Sequence, residues 1–135
     1  MSHFTKCEMK MTNLAAIKRA IEDLELEANT AEENQQVMVR GWKGAETMAE
    51  ITINMGKYDV GVVKNADGTF DLVADWWGIE TTRGVTEEEF KNKLNNRYSY
   101  NRVVMACEDK GYAVEEETNE EDGTVQLVMR KWVSD

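Results

Sequence analysis

The sequence predicts an α+β fold: an antiparallel sheet with two helices packed on one face. Two capped segments carry apolar residues at helical spacing. Between and after them run short segments that alternate apolar and polar residues, punctuated by Asp-Gly turns. The strand–helix–strand alternation of a doubly wound parallel sheet is missing. A chain of 135 residues is of single-domain size, residues 1–135.

The elements follow in order. HFTKCEMKM, residues 3–11, puts Cys7, Met9 and Met11 on one parity, a strand signal. Thr12 and Asn13 are N-cap types, and Leu14, Ile17, Ile21 and Leu24 then recur at helical spacing, which predicts a helix over residues 13–24. The polar stretch 27–36 reads as a loop or a weak strand. VMVRGW, residues 37–42, is a strand with Gly41 near its end, and AEITINM, residues 49–55, alternates as a strand half-buried on one side. YDVGVVK, the turn NADGT and TFDLVADWW predict a hairpin whose return strand runs through Trp77. Thr86 with Glu89 forms a capping box, and three acids in the first turn suit the helix dipole. Phe90, Leu94, Tyr98, Val104 and Cys107 line one stripe as far as Lys110, and Gly111 ends the helix. YAVEEET, a turn at Asp122-Gly123 and TVQLVMRKW close the chain as a second hairpin.

The two hairpins resemble each other. From Tyr58 and from Tyr112 both read Y-x-V-x-x-x-x-N, and after the turn both read D-G-T-x-x-L-V-x-x-x-W. Asp67, Gly68, Thr69, Leu72, Val73 and Trp77 match Asp122, Gly123, Thr124, Leu127, Val128 and Trp132, with one more residue in the second turn. Two readings stay open: a duplicated hairpin unit, or the ordinary likeness of Asp-Gly hairpins.

Trp76 and Trp77 are neighbours at the end of a predicted strand, so pleat parity separates them. Phe70, Leu72, Ala74 and Trp76 form one fully apolar face, which should be the core; Asp71, Val73, Asp75 and Trp77 form the other. Trp76 is then the core tryptophan and Trp77 the outward one. Asp71 and Asp75, about 13 Å apart by strand rise, read as a solvated face rather than a carboxylate dyad.

Composition narrows the function. Apolar residues make up 41%, charged residues 31%, and the net charge is −10. That argues against a nucleic-acid phosphate binder and against a polybasic membrane anchor; it suits high solubility, a basic partner or a cation-rich medium. No stretch resembles a signal peptide or a membrane span. Cys7 and Cys107 show no CxxC spacing, and His3 is the single histidine, so no zinc site is expected and a reducing, cytoplasmic-type compartment fits. His3 is read as a structural residue of the first strand. No GxGxxG, Walker loop or HExxH occurs, and one histidine leaves no Ser/His/Asp or Cys/His set. No catalytic residue, metal or cofactor is therefore predicted, and the reading leans away from an enzyme.

Two groups of residues are candidates for partner binding. Arg40, Trp42, Trp77 and Arg83 would make a basic, aromatic surface in an acidic chain, with Asp75 beside Trp77 counted among the partner-binding residues. Arg97 and Tyr100 of RYSY stand beside the apolar stripe of the second helix, where Arg and Tyr serve either as contact residues or as an amphipathic shoulder. The acidic run EEETNEED, residues 115–122, lacks EF-hand spacing and reads as a solvated hairpin that guards a sheet edge, or one that meets a basic partner.

MSHF, LAAIKRAIEDL, VRGW, KYDVGVV, DGTFDLVADWWGI, RYSY and EDGTVQLVMRKW, in that order over nearly the whole chain, resemble the family known as hypothetical chloroplast reading frame thirty-five, of plastids and cyanobacteria. The DLELE end of the first helix and the acidic loop EANTAEEN depart from its pattern. The resemblance implies a protein of a photosynthetic lineage, in a plastid stroma, a cyanobacterial cytoplasm or a virus of such cells. It brings no activity, cofactor or catalytic residue with it.

Three functions are weighed. The first is a non-enzymatic accessory or adaptor that binds another protein, with no nucleic acid and no membrane as partner and the oligomeric state open. The second is a small-ligand binder or enzyme, with a site between sheet and helices near Asp75, Trp77, Arg97 and Tyr100. The third is an acidic nucleic-acid mimic or inhibitor, which needs carboxylates in two rows; these acids are concentrated in one hairpin.

Overall fold

The computed structural model describes residues 4–33, 35–41, 46–122 and 124–131; the expectations for His3, Trp42, Gly123 and Trp132 lie outside them. The elements in chain order are β1 (Thr5–Met11), α1 (Leu14–Asp23), β2 (Ala28–Thr30), β3 (Val37–Arg40), β4 (Glu46–Ala49), β5 (Ile51–Met55), β6 (Tyr58–Lys64), β7 (Phe70–Ala74), α2 (Trp76–Arg83), α3 (Glu87–Asp109), β8 (Tyr112–Asn119) and β9 (Val125–Lys131). Five strands form an antiparallel sheet in the order β1-β7-β6-β5-β2, and β3–β4 and β8–β9 are separate two-stranded ribbons. The fold is α+β, with helices against an antiparallel sheet as expected.

Pleating divides the central sheet into two faces. Cys7, Met11, Ile51, Ile53, Val60, Val62, Phe70, Leu72 and Ala74 point to the helix side and pack with Ile17, Ile21, Leu94 and Tyr98 in the main core. Both predicted caps form: Asn13 Oδ1 accepts from the Ala16 amide at 2.9 Å, and Thr86 Oγ1 accepts from the Glu89 amide at 3.1 Å. Cys107, expected on the buried stripe of α3, is only half-buried.

The predicted strand over residues 49–55 divides at Glu50. The Glu50 amide donates to the Val62 carbonyl and its carbonyl accepts from the Ala31 amide, while Ala49 pairs with Val37 in the β3–β4 ribbon. That ribbon covers the face of the sheet away from the main core. A Cβ on Gly61 would lie 2.6 Å from Val39 Cγ2 and 3.0 Å from Ala49 Cβ, so the missing side chain is what lets the ribbon lie flat on β6.

The return strand predicted to run through Trp77 stops at Ala74, and a third helix, α2, replaces its end. Asp75 is the N-cap, its carboxylate accepting from the Gly78 amide at 3.1 Å, and Gly84 ends the helix with φ 71°. Trp76 is 7% exposed and Trp77 53% exposed. The expected division of the pair is observed, but a 100° step around a helix produces it, not pleat parity: Trp76 and Ile79 share the buried side.

The two similar hairpins turn in the same way. Asn65 N donates to Thr69 O at 2.7 Å and Thr69 N to Asp67 Oδ1 at 3.0 Å; Glu120 N donates to Thr124 O at 2.8 Å and Thr124 N to Asp122 Oδ1 at 2.9 Å. The turns are equal in length. The extra residue of the second copy is a bulge in β8, between Val114 and Glu116, rather than a longer turn.

Candidate functional site

The turn between β5 and β6 consists of Gly56 and Lys57, because Met55 pairs with Tyr58. A two-residue hairpin turn needs a positive φ at its first position, and Gly56 supplies it at 89°. Two sequence-predicted residues converge on this turn from different elements. Arg40, at the end of β3, donates from Nη2 to the Gly56 carbonyl at 2.8 Å and to Asn54 Oδ1 at 3.2 Å. Arg83, at the end of α2, lies with Cδ 3.4 Å and Nη1 3.5 Å from the place a Gly56 Cβ would take. Lys57 is exposed in the turn itself, so three cations share one corner of a chain with net charge −10.

The two arginines differ in their partners. Arg40 grips the buried Asp59 as a fork, Nε to Oδ2 at 3.0 Å and Nη2 to Oδ1 at 2.8 Å, and its backbone amide reaches Oδ2 at 2.9 Å. Among the described residues Arg83 takes part in no ion pair and is exposed. Met38 and Met48 lie directly opposite each other on the outer side of the β3–β4 ribbon, on the parity of Arg40, and each is 47% exposed. An open groove of about 600 Å³ runs beside Met38, with Arg40, Asp59, Thr52, Asn54, Asn29 and Glu27 in its lining. Its polar groups are largely committed to one another: Asn54 Nδ2 donates to Glu27 Oε2 at 3.1 Å, and Asn54 Oδ1 accepts from Arg40 and from the Gly56 amide.

Arg97 and Tyr100 lie elsewhere. Arg97 pairs with Asp23 of α1, Nη2 to Oδ2 at 2.8 Å, and its guanidinium carbon stands 3.9 Å from the centre of the Tyr100 ring. Asn101 adds a bond to the same Asp23 oxygen at 2.8 Å. Burial opposes the charge of Asp23, but Asn101 and Arg97 outweigh it and hold the carboxyl below its ordinary value. Burial and a hydrogen bond with the Glu117 carboxylate push the Tyr100 phenol up. This cluster lines a notch of about 460 Å³ between α1, α3 and the root of β8. It belongs to the helix layer, whereas Arg40 grips the opposite face of the sheet.

Asp75 and Asp71 correct the expectation of a solvated acidic face. Asp75 is 1% exposed and caps α2, so it presents no surface to a partner. Asp71 is 5% exposed and bonds backbone amides of β1. Trp77 stands exposed on α2, the helix that also carries Arg83. Sequence reasoning missed Lys57, Asp59 and the Met38–Met48 pair. The signal for Asp59 was present: an acid inside the apolar run YDVGVV must be paired if it is buried, and Arg40 ends the equally apolar VMVR.

No group of three or more His, Cys, Asp and Glu among the described residues could hold a metal ion, and no described helix is long and apolar enough to cross a membrane.

A family model described as a protein of unknown function, DUF1257, matches residues 20–128. Curated relatives span the chain nearly end to end. "Uncharacterized protein ycf35" of Guillardia theta is 32% identical over 139 residues, covering 98% of each chain. The proteins of the same name from Cyanophora paradoxa and Pyropia yezoensis are 27% and 25% identical, again over 98% of each chain. No solved structure matches.

Proposed function

The chain belongs to the DUF1257 family, with relatives in photosynthetic algae, and from that premise we propose that it is a non-enzymatic accessory protein that binds another protein. The contact surface is the Gly56 corner, with Arg83 and Lys57 as its charges, the Met38–Met48 pair beside it and Trp77 on the adjoining helix. The protein works in a plastid stroma or in the cytoplasm of a photosynthetic cell.

The convergence of Arg40 and Arg83 on Gly56 carries this reading. One arginine is spent on a buried carboxylate, while the other is exposed and in no ion pair among the described residues. Arg, Met and aromatic side chains are enriched where proteins meet, and a cationic corner on an acidic molecule orients an acidic partner as it approaches. In the neighbouring groove Arg40, Asn54 and Asp59 are bonded to one another, which leaves them less able to hold a small ligand.

The test is affinity capture from an algal or cyanobacterial lysate with wild type, Arg83→Glu and Trp77→Ala. The expected result is a defined protein retained by wild type and lost with Arg83→Glu. Equal recovery by wild type and both variants, or no specific protein at all, overturns the reading.

A further inference from the structure

We propose that the outer edge of β9 is a dimer interface, at which a second copy of this chain adds its own β9 antiparallel and extends β8–β9 into a four-stranded sheet. The proposal is independent of the Gly56 corner.

The internal similarity shows how such a hairpin is completed. In the first copy both edges are filled: β5 pairs with β6, and β1 pairs with β7. In the second copy β8 rests against α3, and among the described residues no strand pairs with β9 on its far side. Not one described side chain of β8 or β9 is fully buried, and Val128, in the middle of the edge strand, is 50% exposed. A lone two-stranded ribbon is marginal in water.

The other open edges among the described strands are short or blunted: β3 and β4 have four residues each. β2 has three residues, and β1 is interrupted by a register shift with Lys10 at φ 52°. The edge of β8 carries a bulge and the acids Glu115, Glu116 and Glu117. Among the described strands only β9 offers a regular seven-residue edge, and from Val125 to Met129 it bears no charge.

Charge selects the occupant. Exposed Glu120, Glu121 and Asp122 stand in the turn that leads into β9, and exposed Arg130 and Lys131 at its end. An antiparallel neighbour must therefore begin acidic and end basic. EEDGTVQLVMRK meets that condition itself: a twofold axis at Gln126 sets Arg130 of each copy against Asp122 of the other and Lys131 against Glu121. The overall charge of −10 opposes association at long range, and salt screens that repulsion beyond ~8 Å at physiological ionic strength.

Sedimentation of the whole chain at physiological salt, up to ~100 μM, tests this. Wild type is expected at twice its 15.4 kDa mass. Arg130→Glu/Lys131→Glu and Glu120→Lys/Glu121→Lys should each be monomeric alone, and an equimolar mixture should restore the dimer, because each variant then meets its opposite charge. Val128→Lys, which leaves the charged ends alone, should also give monomer. A wild type that stays monomeric, a dimer that survives any of these changes, or a mixture that stays monomeric overturns the proposal.

Discussion

The carboxylate of Asp71 holds the backbone of Lys10: its Oδ1 accepts from the Lys10 amide at 2.8 Å, and from the Met9 amide at the same distance. β1 slips its register against β7 between Cys7 and Met11, and the side chain supplies the bonds the ladder does not. Asn65 Nδ2 donates to the other oxygen at 2.8 Å, and Lys6 stands 3.9 Å away. Burial raises the pKa of this carboxyl, but the Lys10 and Met9 amides, Asn65 and Lys6 outweigh it and hold Asp71 below its ordinary value. Folded Asp71 thus binds fewer protons than unfolded Asp71. Its contribution is complete above the unfolded value, near 3.8, and is lost as pH falls through the lower folded one. Urea melts of wild type should lose stability below about pH 4. Asp71→Asn should cost about 1–3 kcal/mol at neutral pH and flatten that acid limb. An unchanged limb would show that other groups govern it.

The same residue shows where sequence reading ended. Alternation along TFDLVADWW correctly assigned Leu72 and Ala74 to the core face, because the apolar period of a strand is local information. The opposite face read as solvated because nothing in the sequence says that β1 bulges beside Asp71 or that β3–β4 folds over Gly61. Those are contacts between distant segments. The extension of the strand through Trp77 overlooked a local signal, since Asp75 and Gly84 bracket eight residues as a cap and a stop. At the candidate site, the arginines of VMVR and TTRG were legible as residue types. Their meeting at Gly56 depends on the ribbon crossing the sheet, and the distance of Arg97 from them depends on which layer α3 joins.

Gly61 sets the limit on packing between ribbon and sheet. A Cβ there meets Val39 Cγ2 at 2.6 Å and both Ala49 Cβ and Val73 Cγ1 at 3.0 Å, and the ribbon must lift to admit it. Gly61→Ala should cost about 1–3 kcal/mol in a denaturant melt. Adding Val39→Ala should recover part of that loss, since it removes the nearest methyl. A double variant no more stable than Gly61→Ala alone would mean that the backbone, not Val39, resists the new side chain.

The two cysteines should separate in reactivity. Burial, then a hydrogen bond and the charge of Glu87, push the Cys7 thiol up to about 11, against a smaller opposing effect of Lys91. Its reactive thiolate is therefore scarce at pH 8, and the side chain is 5% exposed besides. Cys107 is only half-buried. In the native protein a thiol reagent should label Cys107 at least ~10-fold faster than Cys7, with the second thiol appearing in denaturant. Cys107→Ser should abolish the fast phase; a fast phase that persists would place Cys7 in an opening segment.

Arg40 and Arg83 meet one turn but should respond differently to removal. Arg40→Met strips the fork from Asp59, whose side chain is 8% exposed, and leaves that carboxylate, among the described residues, the Arg40 backbone amide at 2.9 Å. A buried acceptor deprived of its partners costs about 1–3 kcal/mol. Arg40→Lys should recover only part of this, because a single ammonium does not reach Asp59, Asn54 and the Gly56 carbonyl as one planar group does. Arg83→Met, exposed and in no ion pair among the described residues, should leave stability within about 0.5 kcal/mol of wild type. Thermal melts of the three variants check this order. Should Arg83→Met destabilise as much as Arg40→Met, the exposed arginine would be a structural member of the corner, and its assignment to a partner would lose its basis.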